Sequence, residues 1–164
     1  MKSINHSFLT VLFSVFCVVV TAQVPQFVTT DKQNSAFVLT QQSVTVPILT
    51  DSREDAGVLR ALENLRTDIK LVTGQQPDYK TDEIPAARKL LIIGTLGKNK
   101  FIDALIKERK IDATQLSGKH EKFLIQTISN PLPGVDEALI IVGSEKRGTI
   151  YGIYELSSQI GVSP

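Results

Sequence analysis

The sequence is poor in the residue types that usually build reactive centres. Its 164 residues include one cysteine, two histidines and no tryptophan. The cysteine, Cys17, and one histidine, His6, both fall within the first 22 residues, so His120 is alone in the rest of the chain. Most nucleophile–histidine triads and cysteine–histidine metal cages are thereby excluded. His120 lies in a polar stretch between Lys119 and Glu121, which predicts an exposed side chain.

The chain also lacks an excess of either charge. Lysine and arginine number 18 against 17 aspartates and glutamates. Nucleic-acid-binding domains present a basic surface, so we expect no nucleic-acid partner. Glycoside hydrolysis needs two carboxyl groups held across a sugar, and no pair here is singled out by its setting. Asp82-Glu83 and Asp136-Glu137 lie in turn-like segments and are predicted to be solvated, so the sequence predicts no catalytic residue.

A phosphate-binding loop is missing as well. Two apolar runs each end in a glycine followed by a hydroxyl residue, at Gly94-Thr95 and Gly143-Ser144, a geometry that can present backbone N–H groups to an anion. However, only two residues separate Gly94 from the next glycine, and no serine or threonine follows the lysine, as a phosphate loop requires. Gly143 and Gly148 do not fit the dinucleotide pattern either. We therefore expect no metal and no other cofactor.

The first 22 residues have the order of a secretory signal peptide. Lys2 supplies a positive charge, residues 8–20 are mostly apolar, and Val20-Thr21-Ala22 offers small residues before Gln23. The apolar run of about 13 residues is shorter than the ~20 that span a bilayer. We therefore predict an exported chain, periplasmic or secreted, that is free of the membrane after cleavage. Removal of Lys2 and Cys17 would leave no formal net charge and no disulfide.

The remaining chain is predicted to be one α/β domain. Residues 23–35 are polar and form an irregular segment, and the domain covers residues 36–164. Apolar runs predict strands at residues 36–40, 43–50, 89–95, 122–129 and 138–144, with Pro47 placing the second at a sheet edge. Helical spacing predicts helices at residues 51–74, 99–109 and 146–159. The expected fold is a mixed β-sheet flanked by about three helices, with the last two strands antiparallel.

The first two predicted helices carry clear inward faces. In the first, Asp51 or Ser52 is the expected cap, Glu54 and Asp55 lie in the first turn, and Gly74 ends the helix. Its apolar stripe comprises Val58, Leu62, Leu65, Ile69 and Val72. The inward residues of the second helix are Phe101, Ile102, Leu105 and Ile106.

The segment that opens the last helix departs from good helix design. Ser144 is a suitable cap and Glu145 suits the first turn, but Lys146 and Arg147 oppose the helix dipole there. Gly148 and Gly152 each lower helix stability by about 1 kcal/mol relative to alanine. Two interpretations stay open: a basic, close-packed edge that meets an anionic ligand or an adjoining domain, or a helix packed tightly on its own sheet. The candidate contact residues are Ser144, Glu145, Lys146, Arg147 and Gly148.

Residues 141–164, Ile-Val-Gly-Ser-Glu-Lys-Arg-Gly-Thr-Ile-Tyr-Gly-Ile-Tyr-Glu-Leu-Ser-Ser-Gln-Ile-Gly-Val-Ser-Pro, resemble the segment that closes the N-terminal domain of glycoside hydrolase family 115. Members of that family are xylan α-1,2-glucuronidases, in which a catalytic (β/α)8 barrel follows this segment. The upstream order of strands and helices is also similar.

The resemblance implies an N-terminal accessory domain whose partners are the catalytic barrel of the same parent chain and glucuronoxylan or its oligosaccharides. The acid and base carboxylates of the family belong to the barrel, so residues 1–164 are not expected to catalyse. Two alternatives remain: a non-catalytic carbohydrate-binding or domain-docking module, and the equivalent domain of another glycosidase family, hexosaminidase-like or family 67.

The export prediction concerns the mature amino terminus. Cleavage after Ala22 should give a secreted or periplasmic chain that begins at Gln23, because Val20-Thr21-Ala22 supplies the small residues that signal peptidase needs. Intact-mass spectrometry of the exported protein tests this. A mature chain that still contains Met1 or Cys17 would contradict it.

Overall fold

The fold is described by a computed structural model, which covers residues 26–31, 33 and 36–162. The predicted signal peptide, residues 1–22, lies outside the described residues, as does part of the predicted irregular segment. Among the described residues, no helix has the length and apolar character needed to cross a membrane.

Five strands form one mixed sheet and two short strands form a separate hairpin, which confirms the predicted α/β class. The hairpin strands are β1 (Thr40–Gln41) and β2 (Val44–Thr45). The sheet strands are β3 (Ile48–Thr50), β4 (Tyr79–Thr81), β5 (Lys89–Thr95), β6 (Phe123–Ser129) and β7 (Glu137–Gly143). The helices are α1 (Ala56–Thr73), α2 (Lys100–Lys107) and α3 (Lys146–Gln159). The sheet order is β4-β3-β5-β7-β6, with β6 alone antiparallel to its neighbour.

The central strands β5 and β7 are buried on both faces. They pair in parallel along their full lengths, from Lys89 opposite Glu137 to Thr95 opposite Gly143. Their side chains alternate between two cores, as a strand's period of two requires. The core on the α2 face contains Leu90, Ile92, Ala138, Ile140, Phe101, Ile102 and Leu105. The core on the α1 and α3 face contains Leu91, Ile93, Ile141, Val58, Leu62, Leu65, Ile69 and Ile153.

The predicted edge strand at residues 43–50 is wrong in two respects. The segment divides into β2 and β3, and β3 is an inner, fully buried strand between β4 and β5. Pro47 is tolerated because it precedes β3, where its missing N–H removes no ladder bond, while its carbonyl accepts a hydrogen bond from the N–H of Leu91. The outer strand β4 is only three residues long, and the sequence analysis missed it.

Helix α1 confirms most of the predicted stripe but not all of it. Val58, Leu62, Leu65 and Ile69 are buried, whereas Val72 is 50% exposed. An 18-residue helix is about 27 Å long, whereas the three residues of β3 extend only about 10 Å. The last turn of α1 therefore lies beyond the strand that it would cover.

The ends of the helices differ in part from the predictions. α1 begins at Ala56 with Asp55 as its N-cap, so neither Asp51 nor Ser52 caps it. Gly74 ends it in the left-handed conformation, with its N–H bonded to the carbonyl of Lys70. α2 is shorter than predicted, because Asn99 is its cap. Ile106 on α2 is only partly buried. The predicted bounds of α3 and the antiparallel pairing of β6 with β7 are confirmed.

Helix α3 lies unusually close to the sheet. A Cβ atom at Gly148 would be 2.2 Å from the carbonyl oxygen of Lys122, and one at Gly152 would be 2.7 Å from Cγ2 of Ile141. A Cβ at Gly143 would meet the backbone nitrogen of Thr149 at 2.0 Å. Three glycines are therefore needed for contact between α3 and the strands beneath it.

This contact gives a stability prediction. Gly148→Ala should lower the free energy of unfolding by about 1–3 kcal/mol, because the added methyl group collides with backbone that cannot move aside. The measurement is urea denaturation followed by circular dichroism.

Gly57→Ala provides the matched control. Gly57 is also helical, but an added Cβ would make ordinary contacts, 3.5 Å from Cδ1 of Ile150 and 3.9 Å from Cδ of Lys146. Its replacement should therefore leave stability unchanged or raise it by up to about 1 kcal/mol. Equal effects of the two substitutions would contradict the close-packing account.

Candidate functional site

The candidate contact segment, residues 144–148, connects β7 to α3 at the carboxyl end of the parallel strands. Ser144 extends the ladder between β7 and β6. Its N–H donates to the carbonyl of Lys122 at 2.8 Å, and its Oγ accepts from the N–H of Lys122 at 3.1 Å. Ser144 is therefore not the helix cap that the sequence predicted. Glu145 occupies that position, without a side-chain capping bond.

Glu145 links the start of α3 to the loop before β6. Its Oε1 accepts a hydrogen bond from the N–H of Glu121 at 3.2 Å. Its carbonyl oxygen accepts from the N–H of Thr149 at 3.0 Å, the first bond of the helix. The side chain that would otherwise cap α3 instead fixes the neighbouring loop.

Arg147 is exposed to solvent, and two contacts define the position of its side chain. Its side chain is 60% exposed, yet Nη1 lies 2.9 Å from Oε1 of Glu121 and Nη2 donates to the Tyr151 hydroxyl at 3.3 Å. The Tyr151 hydroxyl, together with the Glu121 carboxylate, raises the pKa of Arg147. The guanidinium is thus oriented and charged, and it has donors left for an anionic group.

Lys146 lies beside Arg147 and is also exposed. Within the part of the chain that the structure describes, it forms no ion pair. Its charge acts on Asp55, whose pKa is lowered mainly by the hydrogen bond from Lys98 and to a lesser extent by Lys146. Lys146 and Arg147 are thus both exposed at the carboxyl end of the sheet.

Gly148 has a different environment from its charged neighbours. It is buried against the backbone of Lys122, and Gly152 packs against Ile141 of β7 and Phe123 of β6, so the chain's own sheet fills the space left by the two glycines. This packing agrees with the second interpretation offered for the glycines, a helix held tightly on its own sheet. A contact role for residues 144–148 towards a sugar or another domain stays a prediction.

A buried polar cluster lies beneath this segment, and the sequence analysis missed it. Glu54, only 5% exposed, accepts hydrogen bonds from the N–H of Thr95 at Oε1 and from the Thr95 hydroxyl at Oε2, each at 2.7 Å. The Thr95 hydroxyl also lies 2.7 Å from the hydroxyl of Thr149 on α3. This cluster joins the entry of α1, the end of β5 and the first turn of α3.

A second set of buried polar groups binds the free N–H groups at the start of α2. Asn99 Oδ1 accepts from the N–H groups of Phe101 and Ile102, while its Nδ2 donates to the carbonyl of Ile93 at 3.0 Å. Asp51, almost fully buried, accepts from the N–H of Lys100 at 2.8 Å and from the guanidinium of Arg53 at 2.7 Å. These hydrogen bonds, with that of Arg53 the strongest, hold the pKa of Asp51 far below its ordinary value.

The cluster identifies the acceptor at one apparent anion-binding loop. The N–H and hydroxyl of Thr95 are directed at an anion, as the Gly94-Thr95 pattern indicated, but that anion is the chain's own Glu54 carboxylate. The only signal in the sequence was a glutamate shortly before an apolar helix, which was assigned to the first helical turn. Its partner, 41 residues away, could not be identified without the fold.

The carboxylate pairs noted in the sequence form no hydrogen bond with Glu54, Thr95 or Thr149 within the described residues. Asp82 and Asp136 are exposed; Asp82 accepts from Lys100 Nζ at 3.0 Å and Asp136 pairs with Arg88 at 2.8 Å. Glu137 begins β7 and pairs with Lys89, so it lies in a strand and not in a turn.

His120 is exposed, as predicted. Among the described residues, no group of three histidine, cysteine, aspartate or glutamate side chains could hold a metal ion.

Comparison with solved structures places the fold among domains of glycoside hydrolases. The chain is 29% identical to BtGH115A, described as a family GH115 4-O-methyl-α-glucuronidase with specificity for decorated arabinogalactans. The TM-score is 0.58, and the match covers 73% of this chain but 14% of that protein. It also matches CpGH84D, of family GH84, with 11% identity and a TM-score of 0.51, over 72% of this chain and 18% of that one.

No protein-family model matches the sequence, and no curated protein matches it. The chain corresponds to less than a fifth of the length of either solved protein. By its fold and its sequence similarity it is a glycosidase-like domain.

The buried cluster gives the prediction of this section. Thr95→Val keeps the shape of the side chain but removes the hydroxyl between Glu54 and Thr149, leaving one oxygen of a buried carboxylate without its donor. The free energy of unfolding should fall by about 1–3 kcal/mol.

Chemical denaturation measures the effect, with Thr67→Val as the control. Thr67 is an exposed threonine of α1 whose hydroxyl donates to the carbonyl of Glu63, and its replacement should change stability by less than about 0.5 kcal/mol. A Thr95→Val protein as stable as the control would show that the cluster does not stabilise the carboxyl end of the sheet.

Proposed function

We propose that the chain is the N-terminal accessory domain of an exported glycoside hydrolase, an α-glucuronidase that removes glucuronic or methylglucuronic acid from a decorated plant polysaccharide. The observation that carries the proposal is the similarity to BtGH115A, which combines 29% sequence identity with a shared fold over 73% of the chain. The similarity to the GH84 protein supports the fold alone, because identity there is 11%.

The proposed domain does not itself hydrolyse glycosides. The buried carboxylate of Glu54 is hydrogen-bonded at both oxygens inside the protein, and that of Asp51 is held by Arg53 and Lys100. Neither is available to protonate a leaving group or to activate water. In this proposal the catalytic acid and base belong to a barrel of the same parent chain. Residues 1–164 contact that barrel or its substrate.

The proposed contribution of this domain centres on Lys146 and Arg147. Both lie at the carboxyl end of the parallel strands, the end at which ligands of open α/β sheets usually bind. The uronic acid to be removed carries a carboxylate, and an oriented guanidinium can bind it with two parallel hydrogen bonds. The same two cations could instead contact acidic groups on the barrel, in which case they fix the two domains together.

The substrate is proposed to be glucuronoxylan, which the resemblance of residues 141–164 implies. BtGH115A is described as specific for decorated arabinogalactans. Oligosaccharides of both polymers, each bearing the uronic acid, therefore belong in the assay, together with the same oligosaccharides lacking it. The glucuronidase assignment would be supported if a parent protein that contains this chain hydrolyses the oligosaccharides that bear the uronic acid and leaves the others intact.

Arg147→Ala in the parent enzyme tests the role of this segment. If Arg147 binds the uronate, KM for uronate-bearing substrate should rise at least about tenfold at unchanged melting temperature, because the charge-assisted hydrogen bonds to the carboxylate are lost. If it binds the barrel, the melting temperature should fall instead. Unchanged kinetics and unchanged melting would contradict both forms of the proposal.

Arg88→Ala is the matched control. Arg88 is also an exposed arginine paired with one carboxylate, Asp136, but it lies just before β5, at the opposite end of the sheet. Its replacement should leave KM and melting temperature unchanged.

Titration of the isolated chain with the same oligosaccharides separates the remaining alternatives. Binding without turnover would favour a carbohydrate-binding module, and absence of binding would favour a docking domain. Turnover by the isolated chain would overturn the accessory role.

A further inference from the structure

The outer strand β6 is an unprotected sheet edge. Its seven residues, Phe-Leu-Ile-Gln-Thr-Ile-Ser, contain no charge, proline or glycine, and all seven pair in regular antiparallel register with β7. Natural proteins usually protect such edges with lysines, prolines, bulges or very short strands. None of these devices is present within Phe123–Ser129, so the edge is suited to adding another strand.

The hydrogen-bond pattern fixes which backbone groups face outward. The carbonyl of Lys122 accepts from the N–H of Ser144, and the N–H of Asn130 donates to the carbonyl of Asp136. Even-numbered residues of this strand therefore point their backbone groups at β7, and odd-numbered residues point theirs away. The outward residues are Phe123, Ile125, Thr127 and Ser129. Their N–H and C=O groups have no hydrogen-bond partner within the described part of the chain.

The strand is complementary to itself when turned around. An antiparallel copy centred on Gln126 places Phe123 opposite Ser129, Ile125 opposite Thr127, and Gln126 opposite its own equivalent. In this register every outward-facing residue meets another outward-facing residue, as hydrogen-bonded pairs require. All eight outward groups of each strand are then satisfied by the other copy.

The side chains agree with the same register. Leu124 and Ile128 both pack against the core on the α2 face, and in the paired arrangement each lies opposite the other type in the second copy. Ile125 packs against the core on the α3 face and would lie opposite Thr127. Phe123, 36% exposed, would meet Ser129 of the second copy. The apolar faces of two sheets would thus be continuous, with no like charges opposed.

From these observations we propose that the chain self-associates through β6, as a two-fold symmetric dimer whose axis passes through Gln126. Such an interface uses the same patch on both copies, as closed dimers do. The partner is a second copy because the register satisfies both the backbone groups and the side chains without any other sequence. This association is independent of the proposed glycosidase role, and each can fail without the other.

Paired charges at Gln126 provide the test. Gln126→Lys and Gln126→Glu each place like charges across the axis, so each should weaken self-association at least about fivefold. An equimolar mixture of the two variants should restore it, because opposite charges then meet. Analytical ultracentrifugation between about 1 µM and 1 mM, on protein expressed from the full coding sequence and purified as the host delivers it, measures all three.

Thr67→Lys is the matched control. It adds the same charge at an exposed position of α1, outside β6, so self-association should be unchanged. Circular dichroism confirms that every variant keeps the fold.

Amide hydrogen exchange locates the interface residue by residue. The outward N–H groups of Phe123, Ile125, Thr127 and Ser129 should become protected as concentration rises, while those of Leu124, Gln126 and Ile128 are protected throughout. A chain that stays monomeric at the highest concentration would overturn the proposal. So would a dimer that both Gln126 variants leave intact, or one whose outward amides on β6 stay unprotected because another surface or segment forms the contact.

Discussion

The close approach of α3 to β6 and β7 is the constraint on which the carboxyl end of the sheet depends. Gly143 allows the end of β7 to contact the backbone of Thr149 on α3, and Gly148 allows α3 to contact the Lys122 carbonyl. Because α3 packs so close to the sheet, the hydroxyl of Thr149 lies 2.7 Å from that of Thr95. A bulkier residue at either glycine would move α3 away from the sheet and break the hydrogen bond between Thr149 and Thr95.

The buried carboxylate of Glu54 completes this arrangement from the other side. It binds the N–H and hydroxyl of Thr95, so the entry of α1 is tied to the end of β5 and, through Thr149, to α3. A buried charge is tolerated only when its oxygens are hydrogen-bonded, and both are. The cations Lys146 and Arg147 are consequently presented on a rigid base, which is what a contact with a sugar carboxylate or an adjoining domain requires.

The sequence predicted those parts of the fold that depend on local pattern. Residue pattern within a single element predicted the apolar strands β5 and β7, the buried stripe of α1 from Val58 to Ile69 and the bounds of α3. β4 was missed because three residues are too few for a pattern, and β3 was placed at an edge because Pro47 was taken to lie within the strand. Glu54 binds Thr95, 41 residues away, and Asp51 binds the N–H of Lys100 at the start of α2, 49 residues away, and no local pattern contains either contact.

The β6 edge and the start of α3 are adjacent, yet they would not compete. Arg147 pairs with Glu121, just before β6, and so lies at one end of the edge strand. In a dimer centred on Gln126, Phe123 of one copy lies opposite Ser129 of the other, so the two copies of Phe123 are six residues apart along the paired strands, about 20 Å. The basic segments would therefore lie at opposite ends of the shared edge, where neither covers the other. The proposed contact of Lys146 and Arg147 and the proposed β6 dimer can therefore exist in the same assembly.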